Sequence, residues 1–168
     1  MAIELYDLTV PAFLRGFAAL SAFLTKAERW AAENDVDPAD LLTARLHDDM
    51  APLTAQIQRA SDTAKGAAVR IGGIANIPMA DEEATFADLQ TRIARTVEFL
   101  KAVPTEAMNG QEERAVTLAT PGRTVDFTGL SFAQGFALPN FYFHVTTAYA
   151  ILRMKGVPLG KLDYLGAA

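Results

Sequence analysis

Two histidines, His47 and His144, are the residues of this chain best suited to chemistry, and no cysteine accompanies them. His47 is followed directly by Asp48 and Asp49. An imidazole beside a carboxylate is half of a divalent-metal site. A second imidazole would complete three ligands and leave a position open for water or substrate. His144 lies in LSFAQGFALPNFYFHVTTAYAILRMKG, residues 130–156, among the densest aromatic residues of the chain. It is the best candidate for a catalytic base or a ligand. Each feature also has a plainer reading. Asp48 and Asp49 stand where a helix N-cap carboxylate belongs, with His47 solvated beside them. A histidine among aromatics is more often a core residue satisfied by a nearby acceptor.

A second polar set is Gln58, Asp62 and Lys65, spaced i, i+4, i+7 along one helix. It is either a solvated stripe or the lining of a pocket that faces His144, Asn140 or Tyr149. Arg45 either pairs with Asp49 or grips an anionic ligand through its two-pronged guanidinium. Tyr142 and Tyr149 are most simply amphipathic residues with hydroxyls at the core margin.

Several chemistries are excluded by pattern. A di-iron carboxylate bundle needs Glu-x-x-His on two helices, and the residues three before the histidines are Ala44 and Phe141. There is no His-Glu-x-x-His, no phosphate-binding glycine loop and no G-x-S-x-G elbow. The net charge of −5 leaves no basic patch of the kind nucleic acid requires. With 168 residues, 51% of them hydrophobic, the chain is read as one globular domain spanning 1–168. The N-terminal MAIELYDLTV lacks a cationic leader, and no apolar run is read as long enough to cross a bilayer. The expectation is a cytoplasmic protein without a membrane or nucleic-acid partner.

Four long helices must position these residues. The first is capped by Thr9 or Val10, with Pro11 in its first turn, and ends near Glu33–Asn34. Asp37-Pro38-Ala39-Asp40 restarts a short helix through about Leu46. The second long helix begins at the polar break 47–52 and stops at Gly72–Gly73, with Leu53, Ile57, Ala60, Ala64, Ala68 and Ile71 as its apolar face. After a loop over 74–83, Thr85 with Asp88 caps the third, which puts Arg92 and Arg95 on its wetter side and ends before Pro104. The period then changes to two, and Pro121-Gly122 turns a β-hairpin over about 114–128. Ser131 with Gln134 starts the last helix, Pro139 kinks or restarts it, and Gly156 and Pro158 end it. The tail, with Leu159, Leu162, Tyr164 and Leu165, packs back on the bundle. An all-α, up-down-up-down four-helix bundle is the simplest way to bury four such faces. Helices two and four then run the same way, with His47 and His144 at one level.

The runs YDLTVPAFLRG, ARLHDDMAPLTAQIQRASDTAKGA and ALPNFYFHVTTAYAILRMKGVPLGKLDYLG resemble an uncharacterised bacterial family, the domain of unknown function nineteen ninety-three. The similarity covers nearly the whole chain. That family resembles a branch of the DinB/YfiT-like four-helix bundles, which are often dimeric. The resemblance implies a homodimer and a metal site of three histidines, one near the start of helix two and a His-x-x-x-His pair in helix four. Some of those bundles are thiol transferases or thiol-dependent isomerases. Carried over, His47 matches the first histidine and His144 one of the pair. Asn140 and Ala148 flank His144 at the spacing of its partner, and neither replaces an imidazole. Zinc, nickel or iron would therefore need Asp48, Asp49 or water to complete its shell. Three functional readings follow: a small-molecule-binding protein with a degenerate metal site, a metal-dependent enzyme, or a non-catalytic dimeric interaction protein.

Overall fold

The computed structural model describes residues 4–166. Helix α1 runs Leu5–Glu33, the short α2 Pro38–Leu42, α3 Leu53–Gly72, α4 Phe86–Lys101 and the short α5 Thr105–Met108. Strands β1 (Ala115–Thr120) and β2 (Arg123–Thr128) form the antiparallel hairpin, with Val116 opposite Phe127. Then follow α6 (Gly129–Phe132), a π-helical turn (Ala133–Ala137), α7 (Leu138–Met154) and α8 (Lys161–Leu165). A four-helix bundle with a small hairpin before its last helix is the fold the periodicities require.

Local signals account for most boundaries. Asp37 accepts from the Ala39 amide at the head of α2, and Thr85 and Asp88 form a reciprocal capping box on α4. Gly73 closes α3 in the left-handed region, at φ 66°. Helix α1 starts earlier than its sequence signals. Pro11 lies inside it, and the Tyr6 amide finds its acceptor on Asn109 Oδ1, far away in the chain. Helix α2 stops at Leu42 rather than Leu46. The Leu42 carbonyl accepts from the Thr54 hydroxyl and the Ala44 carbonyl from the Leu53 amide, so the chain turns away there. Ser131 is not the cap of the last helix. Thr128 is, and Ser131 answers it from the third position. The break expected at Pro139 takes the form of the π turn just before it, which accommodates the missing amide donor without ending the helix.

Contacts between helices give their directions. Phe13 meets Phe141, Phe23 meets Tyr149, and Trp30 lies by Gly156, so α1 and α7 run together. Arg70 lies over Phe132, Thr63 bonds Asn140 and Gln56 bonds His144, so α3 and α7 are antiparallel. Ser61 bonds Thr96 and Gly72 lies against Met108, just past the end of α4, so α3 and α4 run together. The order is therefore up-down-down-up, and the shared direction expected for helices two and four is corrected. The physical reason is the connection Gly73–Thr85. Its thirteen residues, at about 3.3 Å each, can return the full ~30 Å length of α3.

The core is one cluster in which Phe13, Phe17, Phe23, Phe132 and Phe141 are fully buried. Val157, Leu159 and Tyr164 of the tail pack on it, whereas Leu162 and Leu165 are 77% and 61% exposed, contrary to the expectation for those two. A second correction concerns α1, which by length and composition is apolar enough to cross a bilayer. Within this fold 56% of its apolar window is buried, the behaviour of a core helix.

Two glycines of the last helix give opposite expectations. A Cβ at Gly129 would fall on the Gln111 carbonyl oxygen, whereas one at Gly135 meets nothing within 4 Å. Gly129→Ala should lose about 1–3 kcal/mol in urea unfolding. Gly135→Ala should be neutral or gain up to about 1 kcal/mol. Equal effects would show the approach of α6 to the Gln111 backbone to be loose.

Candidate functional site

The polar residues gather at two places. The first lies between α3 and α7. His144 is 6% exposed and its Nδ1 is 2.8 Å from Gln56 Oε1. Gln56 Nε2 donates to the Ala51 carbonyl at 2.8 Å, in the turn that precedes α3. A carbonyl can only accept, so the Gln56 amide is fixed with its oxygen toward the histidine. That oxygen needs a donor, and the hydrogen-bond pattern therefore assigns the neutral His144 its proton on Nδ1. Nε2 is left with its lone pair. It has no partner among the described residues, and the only sealed, unpaired side-chain polar atom among them is Arg92 Nε. Nε2 thus retains contact with solvent.

Burial first, and the charge of Arg59 second, push the His144 imidazole down from 6.5 to about 4. At neutral pH it is an uncharged acceptor. Arg59 is exposed and forms no ion pair among the described residues. One turn before His144, Asn140 Nδ2 donates to Thr63 Oγ1 at 2.7 Å, and Phe143 is 54% exposed beside the ring. The face therefore offers an acceptor, a free guanidinium, an amide and an aromatic surface.

The expected metal ligands do not gather here. His47 is on an exposed turn with its Nδ1 2.8 Å from Asp49 Oδ1, and both side chains are largely in solvent. Asp48 and Asp49 do not cap α3, whose N-cap is Pro52 with no side-chain bond. Arg45 donates to the Met50 carbonyl rather than to Asp49. Among the described residues no three His, Asp or Glu side chains come close enough to hold a metal ion. The residues present do not fit a three-histidine centre. Gln56 holds the imidazole of His144 on one side, and His47 belongs to a separate surface turn. Tyr149 packs on Phe23 and Tyr164 toward α1 and α8, away from this face.

The second place is the crossover Gly73–Thr85. Gln58, Asp62 and Lys65 face it and α4, not His144. Lys65 Nζ is 3.2 Å from both the Ile77 carbonyl and Asp62, and Gln58 bonds Glu83 at 2.8 Å. Asp62 and Glu83 share a further partner, Arg92, expected to be wet and found with a side chain 1% exposed. Its guanidinium lies 3.0 Å from Asp62, 2.8 Å from Asp81 and 2.8 Å from Glu83, and donates to the Ala80 carbonyl. Burial by itself would raise Glu83, but hydrogen bonds from Arg92 and Gln58 outweigh it and hold the carboxyl below its ordinary range. Grooves of about 310 and 500 Å³ flank the crossover, meeting at Met79. Arg92 and Lys65 share Asp62 and each holds a carbonyl of the crossover, so the polar stripe is a clamp on backbone.

Sequence reading passes over Gln56 and Arg59 and puts Arg92 on the wrong face. Two carried a signal. Gln56 stands three residues after Leu53 and four before Ala60, and Arg92 three after Leu89 and four before Thr96. Both are polar residues at positions whose phase belongs to the buried face.

His144 makes stability depend on pH. The unfolded imidazole titrates near 6.5 and the folded one near 4. Between these values the unfolded state binds the extra proton, so stability is complete above about pH 6.5 and falls as pH drops toward 4. Between pH 7.5 and 5 the wild type should lose about 2 kcal/mol more than His144→Gln in urea unfolding. Identical pH profiles would refute the buried neutral imidazole. For the clamp, Arg92→Leu should cost about 2–4 kcal/mol, less than a fully buried pair because Asp62 and Asp81 remain half exposed. It should also speed hydrogen exchange at residues 77–83. Unchanged exchange there would show that Arg92 does not hold the crossover.

Comparison with known proteins agrees with this architecture. A DinB family member protein from Shewanella denitrificans, known from a 1.83 Å crystal structure, is 40% identical. The two superpose with a TM-score of 0.88 over 98% of this chain and 93% of that one. A search of curated proteins finds no match. The model of the family described as Domain of unknown function (DUF1993) matches residues 5–165. The chain belongs to that family, a DinB-like helical-bundle family.

Proposed function

We propose that this protein binds a small molecule at the α3–α7 face, at a site where a neutral His144 stands in for a dismantled metal centre. The observation that carries the reading is the relay from the Ala51 carbonyl through Gln56 to His144 Nδ1. It orients the ring, sets its tautomer and turns an unprotonated Nε2 outward. Such an atom accepts a hydrogen bond from a ligand hydroxyl or amine. Arg59 adds a positive charge for an anionic group, and Phe143 an apolar wall. A small hydroxycarboxylate has both complements. Binding is favoured over base catalysis because an imidazole near pKa 4 has little hold on a proton at neutral pH. This reading keeps the protein in the cytoplasm, with α1 committed to the bundle.

The same backing of one ring nitrogen by an oxygen is also how proteins orient metal-binding histidines. Metal content therefore decides between ligand binding and the metal-dependent enzyme. The tag-free protein and His144→Ala should be incubated with zinc, nickel or iron(II), desalted, and measured by elemental mass spectrometry. The expected result is well under about a tenth of an equivalent in both. Near-stoichiometric metal in the wild type that is lost in the variant overturns the proposal. Nitrogen-15 NMR titration with small hydroxycarboxylates should shift the amides of Arg59, Asn140 and His144, and not in His144→Ala or Arg59→Ala. Shifts that persist in both variants would place the ligand elsewhere.

A further inference from the structure

Helix α3 keeps a glycine in its interior, Gly66, where alanine would suit the helix better. The reason lies one turn on, at Arg70. A Cβ at Gly66 would collide with Arg70 Nη1, so the guanidinium occupies the space that a side chain would take. It donates to the Gly66 carbonyl at 3.2 Å. Its Cζ also lies 5.9 Å from the ring centre of Phe132, a buried ring that is itself stacked on Phe136. A cation in the last turn of a helix is favoured by the negative helix end, but from any rotamer and without a glycine. Here a long side chain is held folded back along its own helix.

That hold leaves most of its hydrogen-bonding capacity unused. Of the five guanidinium N–H donors, one is bonded among the described residues. Arg70 forms no ion pair among them. Arg70 and Gly66 border the larger groove beside the crossover, about 500 Å³, together with Lys65, Asp62 and Asn76. Asp62 is the acidic member of that lining, and it is already 3.2 Å from Lys65 and 3.0 Å from Arg92. The groove thus sets two cations against one shared carboxylate, in a chain whose net charge is −5. Val69, Pro78 and Met79 add apolar wall.

We propose that this groove binds a small organic anion, whose carboxylate or phosphate head is gripped by Arg70 while its body lies against Val69, Pro78 and Met79. A guanidinium meets two oxygens of either head with paired N–H bonds. The seat on Gly66 and Phe132 has already removed rotamer freedom that binding would otherwise cost. The volume selects an organic anion over a bare ion. It lies in the range of small-molecule pockets, and a bare ion would leave the apolar wall without a contact. The groove is distinct from the site at His144, whose guanidinium, Arg59, stands eleven residues earlier on α3.

In nitrogen-15 NMR titrations of the whole chain, phenyl phosphate or benzoate should shift the amides of Gly66, Arg70 and Asn76 and saturate by about 5 mM. The tighter of the two identifies the head group. Arg70→Gln should weaken binding about tenfold. Gly66→Ala should weaken it as much by displacing the guanidinium, while the melting temperature stays level or rises by about 2–4 °C. A merely structural Arg70 gives the opposite split, lower melting temperatures with unchanged titrations, and that result overturns the proposal. His144→Ala and Arg59→Ala should leave these shifts intact, and their loss would move the anion to the other face and overturn it. Inorganic phosphate should bind about tenfold more weakly than phenyl phosphate. Equal binding overturns the organic ligand, and the absence of saturable shifts with both probes overturns the site.

Discussion

A buried guanidinium with three carboxylates around it is the interaction on which this structure depends. Arg92 does not join two helices so much as hold a strand of irregular backbone against them. The crossover Gly73–Thr85 has no helix or sheet of its own, so its carbonyls need donors from side chains. Arg92 serves Ala80, and Lys65 serves Ile77. Asp62 lies between the two cations, and Glu83 returns to Gln58. The contact pairs descend along α3 as the crossover ascends, which is the signature of a segment running back along the helix it has just left. Isolated surface ion pairs contribute little, but this set is sealed on the arginine side, where loss of one partner strands the others.

Because the crossover returns to the level where α3 began, α4 repeats the direction of α3 instead of reversing it. The last helix is then free to lie antiparallel to α3, and that decides the chemistry of the α3–α7 face. His144 comes level with Gln56 near the head of α3, and the π turn and Pro139 sit toward the other end, near Phe132 and Arg70. The same geometry leaves His47 on the turn before α3, in solvent with Asp49. Burial, and the charge of Arg59 after it, keep the imidazole held by Gln56 uncharged at neutral pH.

Helix α1 serves two surfaces at once. One side carries the phenylalanines of the core, and the other presents alanines between two apolar grooves. Its composition is therefore richer in apolar residues than one buried face requires, which is why it also meets the length and apolarity of a membrane span.

The sequence by itself determined the elements: four long helices, the short α2, the hairpin and most of the stops and caps. Asp37, the pair Thr85 and Asp88, Gly73, and the alternation around Pro121-Gly122 act on their own neighbours, so a local reading finds them. Membership in a bundle family was legible for the same reason, from long runs of local motif. Tertiary structure alone decided the directions of the helices, the burial of Arg92, and the partner of His144. Periodicity says which face of a helix is buried but not what covers it. A polar residue on that face, such as Gln56 or Arg92, is therefore ambiguous until its partner arrives. Those partners, His144 88 residues away from Gln56 and Asp62 30 residues away from Arg92, are set by the path of one irregular segment. Such a segment carries no period from which its course could be read.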